Sequence, residues 1–165
     1  TVKAVGDFTQ ALERIRPGTR VLVDGPHGEG ITADDAPGRL LLAAGIGITP
    51  AMSVLRTAAA CGDDRPHVLI YGNRNWEDIT FREELAKLEH RMPNLRVVHV
   101  LSRPHDDWAG ERGRLDESLL LRTLPIAATQ WSALVCGPPP MVAGAAAALR
   151  RLGVPPSAIH AEGFA

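Results

Sequence analysis

The chain has 165 residues, 45% of them hydrophobic, and its 18 basic and 19 acidic residues leave a formal charge of −1. This suffices for one well-buried domain with a few residues to spare. No basic run suggests a nucleic-acid partner, and no apolar stretch approaches the ~20 residues of a membrane-spanning helix. Two cysteines and six scattered histidines show neither a disulfide framework nor metal-ligand spacing, so we predict no metal site and a reducing compartment.

Residues 1–38 do not follow the pattern of the rest of the chain. Thr1–Ala4 and Thr19–Asp24 have the composition of strands, and Phe8–Ile15 between them has that of a helix. The turn-rich Gly25–Gly28 follows as a junction. We interpret residues 1–38 as the end of a preceding domain and residues 39–165 as a domain of their own.

From residue 39 onward, apolar runs of strand length alternate with helical segments. The predicted strands are Arg39–Ala44, Val68–Tyr71, Leu95–Leu101, Ser132–Cys136 and Ile159–Phe164, and the predicted helices are Pro50–Ala60, Ile79–Arg91, Leu115–Leu124 and Met141–Leu152. Five buried strands separated by helices predict an α/β fold with a parallel sheet covered on both faces. Right-handed crossovers make such a sheet doubly wound, with its ligand at the carboxyl ends of the strands.

The first of these strands ends in a glycine-containing turn, Gly45-Ile46-Gly47-Ile48-Thr49-Pro50. Two glycines let the backbone approach a ligand closely, and the following helix offers N–H groups and a positive dipole end to a pyrophosphate. Pro50 stands where a generic dinucleotide motif has its third glycine, and it suits the first position of a helix. Two glycines alone leave an ordinary strand–turn–helix junction as an equal alternative.

The fourth strand ends in Cys136-Gly137-Pro138-Pro139-Pro140-Met141, whose three prolines indicate a rigid loop. Cys136 lies near the start of the next helix, where a thiolate is favoured, so one interpretation is a catalytic nucleophile. No histidine can be assigned as its base. The alternative is a buried structural cysteine, the commonest situation for a free thiol.

The second strand ends without the acidic residue that binds ribose hydroxyls in many NAD sites. Arg74 follows Tyr71-Gly72-Asn73 instead, and Ser102-Arg103 ends the third strand. An arginine and a serine at this place suit the 2′-phosphate of NADPH. The alternative is that both arginines are solvated or pair with acids such as Glu77 and Asp106.

Taken in this order, the segments resemble the NAD(P)H-binding domain of the ferredoxin–NADP reductase superfamily, most closely its ferric reductase and NADPH oxidase branch. Cys136–Met141 matches the superfamily's Cys-Gly-Pro-x-x-Met signature, and Gly45–Pro50 followed by Met52 is similar to its pyrophosphate motif. The other similar segments are Lys3–Thr9, Gly25–Gly28, Tyr71–Arg74, Ile79–Leu85, Trp108–Gly110, Arg112–Arg114 and Glu162–Phe164. The resemblance covers essentially the whole chain.

The resemblance implies roles for individual residues. Gly45 and Gly47 hold the pyrophosphate, Thr49 contacts the nicotinamide, and Cys136 lines the place where a hydride passes from nicotinamide C4 to flavin N5. The other implied site residues are Ile46, Ile48, Pro50, Gly72, Gly137, Pro138 and Met141 around the nucleotide, Ser102, Arg103 and Arg74 at the 2′-phosphate, Phe164 and Glu162 beside the isoalloxazine, and Gly6 and Thr9 at FAD phosphates. The residues that the resemblance gives a catalytic part are Cys136, Thr49, Phe164 and Glu162.

The implied activity is hydride transfer from NAD(P)H to FAD, followed by one-electron transfer to haem, ferric ion, oxygen or an iron–sulfur protein. NADPH is the expected donor, with NADH as the alternative. The superfamily's FAD domain carries an Arg-x-Tyr-Ser/Thr motif that is absent here. We therefore expect FAD to be held mainly by an N-terminal domain of the same protein, and this chain alone to hold little flavin and to be inactive.

The ferric reductase branch further implies a haem-bearing membrane domain upstream, with this domain at the cytoplasmic face. Two alternatives stay open. One is a soluble reductase component that feeds electrons to an iron–sulfur or oxygenase partner. The other is a non-catalytic NAD(P)H-binding module, although such a sensor has no need of both Thr49 and Cys136 at a nicotinamide.

Overall fold

The chain divides into two units, Thr1–Thr32 and Ala33–Ala165. The structure, a computed structural model, describes Val2, Ala4 and residues 6–25 and 35–164. The first unit contains helix α1 (Asp7–Ala11) and a 3₁₀ turn (Leu12–Arg14), both at the place of the predicted helix.

The strand predicted at Thr19–Asp24 is wrong, since the structure assigns no strand to these residues. A strand needs a neighbour to accept and donate its backbone hydrogen bonds, and the described residues of this unit provide none. Leu22 and Val23 are accordingly 99% and 85% exposed. Val2 and Ala4 also lie outside any strand, and the predicted junction Gly25–Gly28 lies, apart from Gly25, outside the described residues.

The second unit is an α/β domain built on one parallel sheet. Its strands are β1 (Arg39–Ala44), β2 (His67–Asn73), β3 (Leu95–Leu101), β4 (Glu111–Arg112), β5 (Ser132–Gly137) and β6 (Ile159–Gly163), and its helices are α2 (Ile48–Cys61), α3 (Arg82–Arg91), α4 (Glu117–Thr123) and α5 (Pro139–Arg151). Shorter 3₁₀ turns occupy Gly45–Gly47, Ile126–Gln130 and Pro156–Ala158. Within the described part of the chain, no helix is both long enough and apolar enough to cross a membrane.

All five predicted strands are present, but the described sheet has a sixth, β4. The sequence prediction missed β4 because two residues carry no readable periodicity. The helices also begin at other residues than predicted. Helix α2 begins at Ile48, so Pro50 is its third residue instead of its first. Helix α3 begins at Arg82 because Phe81 has a φ of 61°, a left-handed conformation that a helix cannot include.

The order of the described strands is β4-β3-β2-β1-β5-β6, and every neighbouring pair is parallel. The chain moves outward from β1 through β2, β3 and β4, and then returns to pair β5 with the other side of β1. The direction of winding therefore reverses between β1 and β5, where open α/β sheets have a crevice beyond the carboxyl ends of the strands. Ala43 pairs with Cys136, so these two ends lie side by side.

Side chains of the central strands are buried on both faces of the sheet. Leu40 and Leu42 of β1 share one cluster with Leu119 from α4 and Leu149 from α5. Leu41 between them is also fully buried, on the face where α2 packs against β1, β5 and α3. Burial on both faces confirms the predicted doubly wound sheet.

A charged cluster lies at the opposite, amino edge of the sheet. The side chain of Asp63 accepts hydrogen bonds from Arg65 (2.7 and 2.9 Å) and Arg39 (3.1 Å), and the bonds from Arg65 hold the pKa of this carboxyl well below its usual range. His67 is fully buried, with Nε2 3.9 Å from Oδ2 of Asp63. Burial lowers the pKa of His67 from its ordinary 6.5, with Arg39 and Arg65 acting in the same direction and Asp63 opposing them.

The buried His67 makes the stability of the fold depend on pH. Because the folded pKa of His67 lies below its unfolded value of 6.5, the unfolded chain binds the proton more readily, and the free energy of unfolding falls as pH falls through 6.5. One such histidine changes it by at most about 1.4 kcal/mol per pH unit. His99, whose pKa burial also lowers, acts in the same direction.

Urea unfolding at pH 7.5 and pH 5.5 measures this effect. We expect lower stability at pH 5.5, and a smaller difference in the His67→Gln variant. His90→Gln, which removes an exposed histidine of α3, is the control and leaves the difference unchanged. Equal or higher stability of the wild-type chain at pH 5.5 would contradict the prediction. Asp63 does not interfere, since its lowered pKa acts only at more acidic pH.

Candidate nucleotide site

The turn after β1 lies directly against the end of β5. A Cβ atom added to Gly47 would overlap the carbonyl group of Cys136 and lie 3.0 Å from the amide nitrogen of Gly137. Only glycine permits so close a contact between the two backbones. Gly45 is required for a different reason, since its φ is 54° while the space around its Cα is open. The structure thus brings the two predicted motifs together at the reversal between β1 and β5.

Helix α2 begins at this turn and has 14 residues. Its first turn has backbone N–H groups without acceptors inside α2, and the N-cap residue Gly47 has no side chain that could cap them. Pro50 has no N–H, and at its position the loss costs the helix nothing. The hydroxyl of Thr49 donates to the carbonyl of Ile46 (3.2 Å), which ties this half-buried side chain to the turn. A helix start of this kind is suited to an anionic phosphate.

Cys136 is a buried thiol rather than an activated nucleophile. Its side chain is 4% exposed, and it forms no disulfide. Burial raises the pKa of Cys136, and the charge of Glu162 raises it further. The thiolate that the nearby helix start suggested is therefore disfavoured, and at neutral pH Cys136 is a neutral, weakly polar group at the edge of the site.

The last strand brings the carboxyl-terminal residues to the same edge. Glu162 pairs with Cys136 in the register of β5 and β6, and Gly163 pairs with Gly137. The N–H of Phe164 donates to the carbonyl of Gly137 (3.2 Å). Glu162 is exposed and Phe164 is half-buried, so both are accessible beside Cys136.

The three predicted phosphate-binding side chains also lie together. The N–H groups of Ser102 and Arg103 donate to the carbonyls of Asn73 (3.0 Å) and Arg74 (2.8 Å), so the segments after β2 and β3 continue side by side. Ser102, Arg74 and Arg103 are all exposed. No carboxylate among the described residues pairs with either arginine.

The predicted alternative was that these arginines are solvated or pair with acids such as Glu77 and Asp106. Both arginines are exposed, and such pairing is not seen in the described part of the chain. Glu77 lies 3.9 Å from His105 instead. Two guanidinium groups on adjacent segments, neither paired with a carboxylate of the described residues, make a locally positive surface that suits a phosphate monoester.

Packing accounts for the other glycines of the motifs. A Cβ atom on Gly72 would lie 2.5 Å from Cδ1 of Leu115, and one on Gly137 would overlap the side chain of Met141. Pro138 is exposed at the N-cap of α5. Contact of these three residues with a nucleotide stays a prediction. Their positions in the fold follow from packing at the same edge of the sheet.

Aromatic packing holds the two loops that carry the arginines. The rings of Trp76 and Trp108 are 5.3 Å apart, and Trp76 meets His99 of β3 edge-on at 5.7 Å. The guanidinium of Arg82 lies over Trp76 at 5.0 Å. Arg112 donates to three carbonyls of the loop before it, at 2.7 to 3.1 Å. The tertiary structure thus assigns these residues to support of the two loops.

Tyr71 has a contact that sequence reasoning missed. Its hydroxyl donates to the carbonyl of Gly45 (2.9 Å) from a fully buried side chain. A tyrosine at the end of a strand, beside a glycine turn on the neighbouring strand, was the available signal. Without the pairing of Ala43 with Tyr71, the sequence does not show that the hydroxyl reaches the turn.

The first unit contains the two residues predicted to touch FAD phosphates. The hydroxyl of Thr9 accepts from the N–H of Gly6 and donates to its carbonyl, both at 3.0 Å, at the start of α1. This arrangement caps a helix of five residues. Contact of Gly6 and Thr9 with FAD stays a prediction.

Known proteins share both the sequence pattern and the fold. The chain is 33% identical over 152 residues to NADH-cytochrome b5 reductase 1 of Pyricularia oryzae, covering 90% of this chain and 49% of that protein. The chain thus spans about half the length of the curated relatives it matches. The cytochrome b5 reductase domain of Ulva prolifera nitrate reductase has a TM-score of 0.80 at 26% identity, covering 90% of this chain and 60% of that chain.

The structure of the CS-b5R domains of human Ncb5or in its NAD+ form also has a TM-score of 0.80, at 28% identity, and the match covers 96% of this chain and 46% of that chain. The family model for the oxidoreductase NAD-binding domain matches residues 41–147, a span that includes both the glycine turn and Cys136–Met141. Family and neighbours together confirm the superfamily resemblance, and the chain belongs to the oxidoreductase NAD-binding domain family of the ferredoxin–NADP reductase type.

Proposed function

We propose that this chain binds NAD(P)H at the carboxyl edge of its sheet and presents the nicotinamide for hydride transfer to FAD, which a neighbouring domain of the same protein holds. The observation that carries the proposal is the contact of Gly47 with the backbone of Cys136. It joins a turn suited to pyrophosphate and a buried thiol suited to border a nicotinamide. The relatives, named as reductases, support the same reaction class.

When bound, NAD(P)H supplies a hydride and FAD accepts it, so the chain's own residues bind and orient. The backbone of Gly45–Gly47 and the start of α2 receive the pyrophosphate. The Thr49 hydroxyl and the Cys136 thiol border the nicotinamide without attacking it, because the thiol stays protonated. Glu162 and Phe164 close the same edge from β6. Holding the reacting atoms in one geometry provides most of the rate advantage.

We further propose a haem protein as the electron acceptor, chosen from haem, ferric ion, oxygen and iron–sulfur proteins because the relatives are named for cytochrome b5. The motif resemblance to ferric reductases supports a membrane-anchored parent protein with this domain at the cytoplasmic face. The alternative form of the parent protein is a soluble reductase component. The acceptors are distinguished by measuring reduction rates with the protein that includes its FAD domain. The three acceptors compared are cytochrome b5, a ferric chelate and a ferredoxin.

Replacement of Gly47 tests the binding site. In Gly47→Ala the new methyl group collides with the Cys136 carbonyl, so the turn must move and we expect NADH affinity to fall by more than tenfold. Gly144→Ala is the matched control, since Gly144 lies in α5 with open space around it and alanine favours a helix by about 0.5–1 kcal/mol. Calorimetric titration with NADH measures both variants, and unchanged affinity in Gly47→Ala would remove the proposed site.

Cofactor preference tests the arginine pair. We expect NADPH to bind more tightly than NADH, and the double variant Arg74→Ala/Arg103→Ala to lose this preference while NADH affinity changes less than threefold. The control Arg150→Ala removes an exposed charge from the last turn of α5 and keeps the preference. Titration of each variant with both nucleotides provides the comparison. Equal or weaker binding of NADPH by the wild-type chain would exclude a 2′-phosphate site here.

Cys136→Ala tests the nicotinamide end in the protein that includes its FAD domain. Loss of the thiol leaves space beside the nicotinamide, and we expect flavin reduction to slow on the order of tenfold in stopped flow. Cys61→Ala, which removes the exposed cysteine of α2, is the control with an unchanged rate. If Cys136→Ala reduces flavin at the wild-type rate, Cys136 is a structural residue only.

A further inference from the structure

The chain's single tyrosine joins β2 to the glycine turn of the candidate site. The side chain of Tyr71 is fully buried, and its hydroxyl lies 2.9 Å from the carbonyl oxygen of Gly45. The same carbonyl accepts the N–H of Ile48, the first residue of α2. One backbone oxygen therefore receives a hydrogen bond from its own turn and another from the neighbouring strand.

This carbonyl determines how the turn presents its amides. The peptide between Gly45 and Ile46 is planar and trans, so fixing the direction of the carbonyl fixes the Ile46 N–H on the opposite side of the same plane. Gly45 is in the left-handed region. Because it has no side chain, many neighbouring backbone conformations are also accessible to it. A hydrogen bond from outside the turn is the kind of contact that selects one of them.

The hydroxyl of Tyr71 is suited to this contact. Burial raises the pKa of this hydroxyl, and hydrogen bonding with Thr80 and Asn73 lowers it by less. The hydroxyl therefore keeps its proton and donates at all physiological pH values. Thr80 belongs to the loop between β2 and α3, which also carries Arg74. The hydroxyl thus lies between the glycine turn and the loop that carries the candidate phosphate-binding arginine.

We infer that Tyr71 is a positioning residue that holds the Gly45–Gly47 turn in the conformation that receives a pyrophosphate, without itself touching the nucleotide. The inference rests on the proposed function and adds a residue to it. The Tyr71 hydroxyl then contributes part of the affinity for ligands that contain a pyrophosphate.

Tyr71→Phe removes the hydroxyl and keeps the ring. The dissociation constants of NADH and ADP are measured by calorimetry at a temperature where urea unfolding shows each variant to be fully folded. We expect both constants to rise about fivefold, as loss of one net hydrogen bond predicts. The control Ser132→Ala removes another buried hydroxyl, at the start of β5 on the opposite edge of the sheet, and leaves both constants unchanged.

A second measurement does not depend on a variant. Because Tyr71 is the sole tyrosine, 3-fluorotyrosine labelling yields a single ¹⁹F resonance. We expect ADP and NADH to shift this resonance and adenosine, which has no phosphate, to leave it in place. If Tyr71 were merely structural, its truncation would change the free energy of unfolding but not the dissociation constants of the folded protein. In that case ADP would not shift the ¹⁹F resonance.

The outcomes separate the two hypotheses. A wild-type chain that does not bind NADH overturns the proposed function. A wild-type chain that binds NADH, with Tyr71→Phe binding NADH and ADP as tightly, overturns the role of Tyr71 alone. If Tyr71→Phe does not fold, the ¹⁹F spectrum decides: a shift with ADP but not with adenosine supports the inference, and an unmoved resonance overturns it.

Discussion

The contact between Gly47 and the Cys136 carbonyl is the constraint on which the rest of the site depends. It allows the turn after β1 to cross the end of β5 without a gap, so α2 begins directly beside the last residues of β5. Any side chain at position 47 would separate the two strand ends, and with them the candidate pyrophosphate and nicotinamide sites. The parallel register of β1 with β5 and of β5 with β6 then extends the same edge to Glu162 and Phe164.

The site combines a rigid backbone with exposed side chains at its far end. Close glycine packing and the Tyr71 hydroxyl hold the turn at β1. Arg74 and Arg103, by contrast, extend from loops into solvent, and their positions depend on what holds those loops. The Trp76–Trp108 contact and the hydrogen bonds of Arg112 provide that support. The division is physically sensible, since a pyrophosphate common to all dinucleotides needs fixed amides, while discrimination of a 2′-phosphate needs charge near the surface.

Sequence reasoning succeeded where a signal was local and repeated. Apolar runs such as Leu95–Leu101 predicted the strands, and the helix predicted at Leu115–Leu124 is α4. The side chain of Asp116 caps this helix by accepting the N–H of Leu119 at 2.8 Å. It failed where the outcome depended on a partner. Thr19–Asp24 has the composition of a strand but no pairing neighbour among the described residues, and β4 exists only because its two residues pair with Val100 and Leu101.

Cys136 shows the same limit for chemistry. The sequence determined that a cysteine follows a buried strand and precedes a helix, which is compatible with a thiolate and with a buried thiol. Only the tertiary structure decided between them, because burial and the charge of Glu162 both disfavour ionisation. The sequence by itself determined the family, the parallel α/β fold and the segments of the site, since these depend on periodicity and short motifs. The meeting of those segments, the contact of Tyr71 and the protonation of Cys136 depend on neighbours distant along the chain, which only folding brings together.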